Sequence, residues 1–585
     1  MILQSLTNYY ETLLESGSIS PPGWDDSCKV SYGLELADTG EIVSVIPYQT
    51  TVIQAKKEKI LTFRKMRVPA RVKRSSGISA NFLCDTSSYL LGVDTKGKPE
   101  RAKDCFQACR KRHEELLAES DTPAAKAILT YFAAWNPDTA KGHPVLSSCW
   151  DEILSGGNLI FCYHVNPVVE DREIVRIWQQ YYNTGQEDVM QGQCLVTGVS
   201  GSIAKLHPSI KGVQGAQSSG ASLISFNAPA FESYGHSQGG NAPVGEYAAF
   251  AYASALNALL ADREHCRTIG DTTVVCWAEN GQNAYQDLGM FSIFGSPEGI
   301  DDKMVVSVLH KMAKGERCTW KDISINPNEH FYYLGLAPNA SRLSVRFFLR
   351  DSFGNFMRNL DRHYQDTSII RPAYDAREDL SIWQLLNETV NQNSRNKNAS
   401  PQMTGSVLQS ILTGTRYPAT LLNGAEIRIR SERNVTRGRA AIIKAYYLRS
   451  PHPDCPKEVL QMELNENSTN VAYTLGRLFS VYEQIQQKAN PDINATIKDK
   501  YFNSASASPA IVFPMLGNLA QKHLRVIRRE QAGAAVNLER RLGELSVIIG
   551  KEFPERMNLA EQGSFQLGYY FENQARYQKK EEKNV

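Results

Sequence analysis

At 585 residues, with 42% apolar and 22% charged side chains, the chain exceeds what one hydrophobic core organises and is too apolar for disorder, so two to four domains are expected. Its formal charge of +2 excludes any argument for a polyanionic partner from bulk charge, which leaves only local clusters. Eleven scattered cysteines, an odd number, suit reduced thiols in a cytoplasm rather than a disulfide framework.

The chain opens on an amphipathic helix without the basic n-region of a secretory signal. Pro21, Pro22 and Gly23 break it, and the runs Lys29–Leu36 and Glu41–Ile46, joined by Asp38-Thr39-Gly40, predict a hairpin. From Ala55 to Arg74 nine Lys or Arg stand against the single acid Glu58. This strip includes Lys56, Lys57, Arg64, Arg67, Arg71, Lys73 and Arg74, all candidates for phosphate contact, and it leads into a polar loop containing Asn81.

Helical spacing follows over 101–135 and 171–182, then Gly, Ser and Val over 192–225 predict short strands and loops. The segment from Asn227 to Pro243 reads as a loop, Glu246–Asp262 as a buried helix and Thr272–Trp277 as a strand. The most apolar run, Ala248–Ala261, carries Ser254 and Asn257 and is too short to span a bilayer, so no membrane role is expected. A strand over Leu343–Leu349 and a helix over Asp351–His363 come next.

The polar run NQNSRNKNAS, residues 391–400, is the best linker candidate of the second half. Beyond it Arg428, Arg430, Arg433, Arg437 and Arg439 form a second basic strip. From Val471 onward apolar residues recur at three and four residue steps, and similar stretches at 509–528, 534–551 and 560–580 predict an antiparallel helical bundle. On it Lys522, Arg525, Arg528 and Arg529 share much of one helix face. The prediction is a multi-domain α+β chain: a mixed region of short antiparallel strands and helices over 1–390, a connecting segment over 391–461 and an all-α bundle over 462–585.

Two motifs invite enzymatic readings. Gly235-His236-Ser237-Gln238-Gly239 matches the G-x-S-x-G nucleophile elbow, but Phe231 to Tyr234 make no apolar strand before the serine, and Gly240, Asn241 and Pro243 delay any helix after it. Cys105, Cys109 and His113 would line one helix face as zinc ligands, yet at 1.5 Å per residue the outer two are roughly 12 Å apart, beyond the span of one ion. No phosphate-binding or dinucleotide glycine motif and no H-E-x-x-H occurs. A non-catalytic protein without cofactor or metal is expected, with a serine hydrolase or a generic RNA-binding scaffold as the alternatives.

Several segments are similar to those of the large subunit of the subtype I-C CRISPR surveillance complex, Cascade. They are MILQSLTNYYETL with SPPGW, SSGISANFLCDTSSYLLGVD from Ser75, SFNAPAFESYGHSQGGNAPVGEYAAFAYASALNALL from Ser225, and GLAPNASRLSVRFF from Gly335. The resemblance implies a subunit that recognises the PAM in double-stranded target DNA, helps open the duplex, stabilises the R-loop and recruits a helicase-nuclease, while guide pairing reads the sequence. It implies as partners a CRISPR guide RNA, backbone subunits, a guide-processing subunit and small subunits made from an internal start, for which Met462 is the candidate here. On this reading Ser237, Gln238, Gly239 and Asn241, with Asn81, meet DNA at the PAM end, since Gln and Asn read or wedge base edges. The cations between Lys56 and Arg74 hold phosphates, and Lys522, Arg525, Arg528 and Arg529 track the displaced strand.

Overall fold

The computed structural model describes residues 1–53, 59–72, 74, 77–94, 98–184, 190–298, 300–395 and 397–577. Lys56, Lys57 and Lys73 lie outside them. The chain forms two compact units, one of residues 1–208 and 225–255, the other of 209–224 and 256–585.

In the first unit α1 (Ile2–Glu15) precedes β1 (Trp24–Leu36), β2 (Ile42–Pro47), β3 (Gln49–Ile53), β4 (Lys59–Pro69) and β5 (Cys84–Asp85). There follow α2 (Ser87–Leu90), α3 (Pro99–Leu117), α4 (Pro123–Ala134), α5 (Trp150–Ser155), β6 (Asn158–Tyr163), β7 (Asn166–Pro167) and α6 (Arg172–Thr184). The sheet runs β3-β4-β1-β6-β5, with β2 also on β1 and β7 on β6. The predicted hairpin is β1 with β2, Leu36 opposite Ile42. β1 also pairs in parallel with β6.

Helices α3 and α4 bury Cys105, Phe106, Cys109, Ile128 and Phe132 against this sheet. His113 is wholly buried there as well. Its Nδ1–H donates to the Cys109 carbonyl at 2.8 Å and its Nε2 accepts from the Leu83 N–H at 3.0 Å, which satisfies a neutral imidazole. Burial lowers its pKa to about 4. The Cys105, Cys109 and His113 trio is therefore core, and all eleven cysteines are free thiols.

A hairpin of β8 (Gln191–Gln193) and β9 (Ser200–Ser202) follows, and after residue 225 a loop leads into α7 (Glu246–Ala261). Tyr10 of α1 packs edge-on against Tyr247 and Phe250 of α7, and the Tyr247 hydroxyl donates to Glu11 at 2.6 Å. These contacts fix the end of that loop.

The second unit begins with β10 (Arg267–Ile269), β11 (Thr272–Ala278), α8 (Asn283–Phe294), α9 (Asp302–Ala313), β12 (Cys318–Trp320), β13 (Ile323–Ile325), β14 (His330–Asn339) and β15 (Arg342–Ser352). An antiparallel sheet β10-β11-β14-β15 backs α8 and α10 (Phe353–Thr367). Helices α11 (Ile382–Asn387), α12 (Pro401–Thr413), α13 (Ala419–Glu432) and α14 (Arg437–Arg449) lead to α15 (Val471–Ala489), α16 (Ile497–Ala507), α17 (Pro509–Glu530), α18 (Ala532–Ile549) and α19 (Leu559–Ala575).

The fold class is the α+β mixture expected, but 391–461 is not merely a connector. Its helices α12 to α14 share one continuous hydrophobic core with α15 to α19, and the division between the two units coincides with neither 390 nor 461. α15 and α19 cross in close contact: a Cβ on Gly476 would stand 1.9 Å from the Phe565 carbonyl oxygen, and one on Gly568 2.0 Å from that of Tyr473.

Two members of the second basic strip, Arg437 and Arg439, enter this core, while Arg430 and Arg433 stay exposed and Arg428 is half-buried. Arg437 is held by Asp375 at 3.0 Å and Arg439 by Glu388 at 3.1 Å, both guanidinium groups nearly inaccessible. Arg449 meets Asp366 at 2.7 Å, and Lys444 Nζ donates to the carbonyls of Gln365, Asp366 and Ser368. Inside a protein each such charge needs its partners, so these residues are structural.

Candidate nucleic-acid interface

The loop before α7 is built against the segment that follows β9. The Ala204 N–H donates to the Val244 carbonyl and the Leu195 N–H to that of Pro243, both at 2.9 Å, while the Gly239 N–H reaches the Lys205 carbonyl at 3.1 Å. Asn241 closes the loop on itself: its Oδ1 accepts from the Ser233 N–H at 2.8 Å, and its Nδ2 donates to the carbonyls of Gln238 at 2.9 Å and His236 at 3.0 Å. The Asn241 carboxamide is thus spent on shaping the loop rather than presented to a base.

Gln238 differs. Its backbone holds φ +43, in the left-handed region, with its N–H on Glu232 at 3.2 Å. Its Oε1 is enclosed and accepts no hydrogen bond among the described residues. Ser237 is exposed, preceded by a short 3-10 turn (Pro229–Phe231) and followed by another (Gln238–Asn241). The strand-to-helix geometry of a nucleophile elbow does not form here.

Sequence reasoning missed Tyr234, which is 99% exposed at φ +53 beside Gly235. An aromatic next to a loop glycine was the available signal. Leu195, Val199 and Leu206 are exposed on the neighbouring segment. Across 190–208 and 225–245, Lys205 and Glu232 are the sole Lys, Arg, Asp or Glu residues. Such a surface holds phosphates poorly and meets flat, neutral groups well.

The N-terminal strip is more constrained than its composition suggested. Arg74 forms a fork on Asp85, 2.9 Å from Oδ1 and 2.5 Å from Oδ2, and its guanidinium stacks 3.9 Å from the Tyr89 ring centre. Burial works against its charge, yet Asp85 holds its pKa above the ordinary arginine value. Asn81 is buried: its Oδ1 accepts from the Val72 N–H and its own N–H donates to Asp85, both at 2.9 Å. It props the strip rather than facing solvent. Arg71 pairs with Asp25 at 2.8 Å and Arg67 with Asp26 at 3.1 Å, while Arg64 is exposed with no carboxylate partner among the described residues.

On α17, Lys522, Arg525 and Arg529 are exposed without ion pairs among the described residues, one face at steps of three and four. Arg528 is engaged by Glu539. Among the described residues no group of three or more His, Cys, Asp or Glu converges as metal ligands would, and no helix is long and apolar enough to cross a membrane.

The described residues thus form a mixed α+β chain that carries a tied-down, nearly uncharged loop and exposed cations on α17. A family model described as CRISPR-associated protein (Cas_Csd1) matches residues 6–577, and the chain belongs to that family. No curated protein matches the sequence.

Proposed function

We propose that the chain is the non-catalytic large subunit of a subtype I-C Cascade, recognising the PAM in double-stranded DNA, helping to open the duplex and recruiting the helicase-nuclease. The observation that supports this best is the Ser237–Asn241 loop, a tied-down element that carries half-buried Gln238 close to the exposed Tyr234 on a surface nearly free of charge. Direct base readout needs a polar edge held in place close to the groove, whereas phosphate contacts carry no letters. Arg64 and the arginines beside it supply the letter-independent grip, and Lys522, Arg525 and Arg529 hold the displaced strand. The small subunits of the same complex would arise from an internal start at Met462, which is 58% exposed in the turn ahead of α15.

The test is a titration of the assembled complex on a randomised PAM library, wild type against Gln238→Ala. Loss of preference among PAM letters at matched salt is expected, and an unchanged preference overturns the assignment. A fluorophosphonate probe that labels the wild type but not Ser237→Ala would instead favour a hydrolase.

A further inference from the structure

Within the second unit, α12, α13 and the segment before α12 line an open cavity of about 670 Å3, inside the usual range of small-ligand sites. Its wall has an unusual chemistry for a family of nucleic-acid partners rich in charge. The lining is made of amides and hydroxyls, Asn391, Gln402 and Asn423 among them, and of the apolar side chains Val390, Met403 and Ile427. No Asp, Glu, Lys or Arg takes part in it. The carboxamides of Gln402 and Asn423 stand in exposed positions and form no hydrogen bond within the described residues, and Ile427 remains 55% exposed.

A neutral wall gives a phosphate nothing to offset its charge. Paired donor and acceptor groups next to an apolar face instead match a nucleobase, whose edge carries donors and acceptors and whose face is apolar. Cations stand beside the cavity and not inside it. Arg395 and Lys397, exposed and without ion pairs among the described residues, lie in the chain between the lining residues Ser394 and Asn398. Base inside and phosphates at the rim is the order in which a nucleotide would present itself.

We propose that this cavity receives one unpaired base of a single-stranded nucleic acid, with Arg395 and Lys397 holding the flanking phosphates. The inference rests on the reading of the chain as a nucleic-acid-binding subunit and gives the polar run at 391–400 a task beyond joining two elements. Two sources can supply the base: the displaced DNA strand or an unpaired stretch of guide RNA.

The experiment uses the assembled complex on target DNA, with 4-thiothymidine placed singly along the displaced strand in one arm and 4-thiouridine along the guide in the other. After irradiation, crosslinked peptides are mapped by mass spectrometry. An adduct on the peptides carrying Met403 or Asn423 is expected in one arm, and that arm identifies the source. Gln402→Ala with Asn423→Ala should reduce that adduct about tenfold, the scale of losing one base contact, while the complex stays assembled. Arg395→Ala with Lys397→Ala should lower the salt slope of single-strand binding by about 1.4, two contacts at roughly 0.7 each. Wild-type labelling in the amide variant overturns the pocket. Adducts on the Ser237–Asn241 loop but none at this cavity overturn the pocket and leave the proposed function standing, whereas no adduct anywhere on the chain overturns both.

Discussion

A Cβ on Gly239 would lie 2.0 Å from the carbonyl oxygen of Ala204, so the Ser237–Asn241 loop can rest against the segment after β9 only because residue 239 has no side chain. Gly239→Ala must therefore push the loop away from that segment. Weaker binding of PAM-bearing duplex by the assembled complex is expected, by about tenfold or more, with a lowered melting temperature. Gly240→Ala is the control, since its Cβ meets the Met190 side chain at 3.4 Å and the His236 Cβ at 3.6 Å, both ordinary contacts, and no backbone atom as close as 3.4 Å. Equal effects from the two would sink the idea.

Asn241 and Gln238 should separate stability from readout. Asn241→Ala removes three hydrogen bonds that shape the loop and should destabilise the first unit by about 1–3 kcal/mol. Gln238→Ala leaves those bonds in place, so its melting temperature should match wild type while PAM preference falls. Thermal unfolding alongside duplex titration distinguishes them.

The arginines of the N-terminal strip should not behave alike. Arg74→Ala strands the buried Asp85 carboxylate and should cost about 3 kcal/mol of stability. Arg64→Ala, which loses no ion pair among the described residues, should leave stability within about 0.5 kcal/mol and lower the salt slope of duplex binding by about 0.9. A destabilised Arg64→Ala or a fully stable Arg74→Ala would contradict the assignment.

His265 gives a pH dependence. Its Nδ1 lies 2.7 Å from Asp262 and its Nε2 2.7 Å from Asp287, which also accepts from the Trp320 indole N–H at 2.8 Å. Burial opposes the imidazolium, but the two carboxylates outweigh it and raise its pKa to about 9 from 6.5. The folded state then binds more protons than the unfolded state between those values, so this contribution, no more than about 3 kcal/mol, is complete below pH 6.5 and lost on rising to pH 9. Lys444, lowered to about 8 by burial, has the opposite sign above pH 8, so the slope is read between pH 6.5 and 8. His265→Gln should flatten it.

Met462 offers a test at the level of the gene. A C-terminal tag on the intact gene should yield the full chain and a second product starting at residue 462. In the full chain Gln566 of α19 donates to the buried Glu426 at 2.8 Å, and Gly563 packs against Tyr447 and Ile443. A product lacking residues before 462 therefore exposes this face of α19 and should associate with partners or with itself, which analytical ultracentrifugation reads directly. A monodisperse, fully stable monomer of that product would count against this packing argument.

Local pattern determined much of this protein. The β1–β2 hairpin, α7, β11 and the helices α15, α17, α18 and α19 follow from period-two and period-3.6 spacing with turn residues at their ends, signals carried by neighbours in the chain. Tertiary structure decided the rest. Arg437 and Arg439 look from sequence like part of a phosphate-binding strip, but their partners Asp375 and Glu388 lie tens of residues away, and only folding brings these together. For the same reason α14, buried on nearly every side, shows no amphipathic period to read. In the loop, composition marked the glycines, glutamine and asparagine. Which carboxamide is consumed by the loop and which is left unsatisfied depends on backbone groups that approach one another only in three dimensions, and so could not be legible in the order of residues.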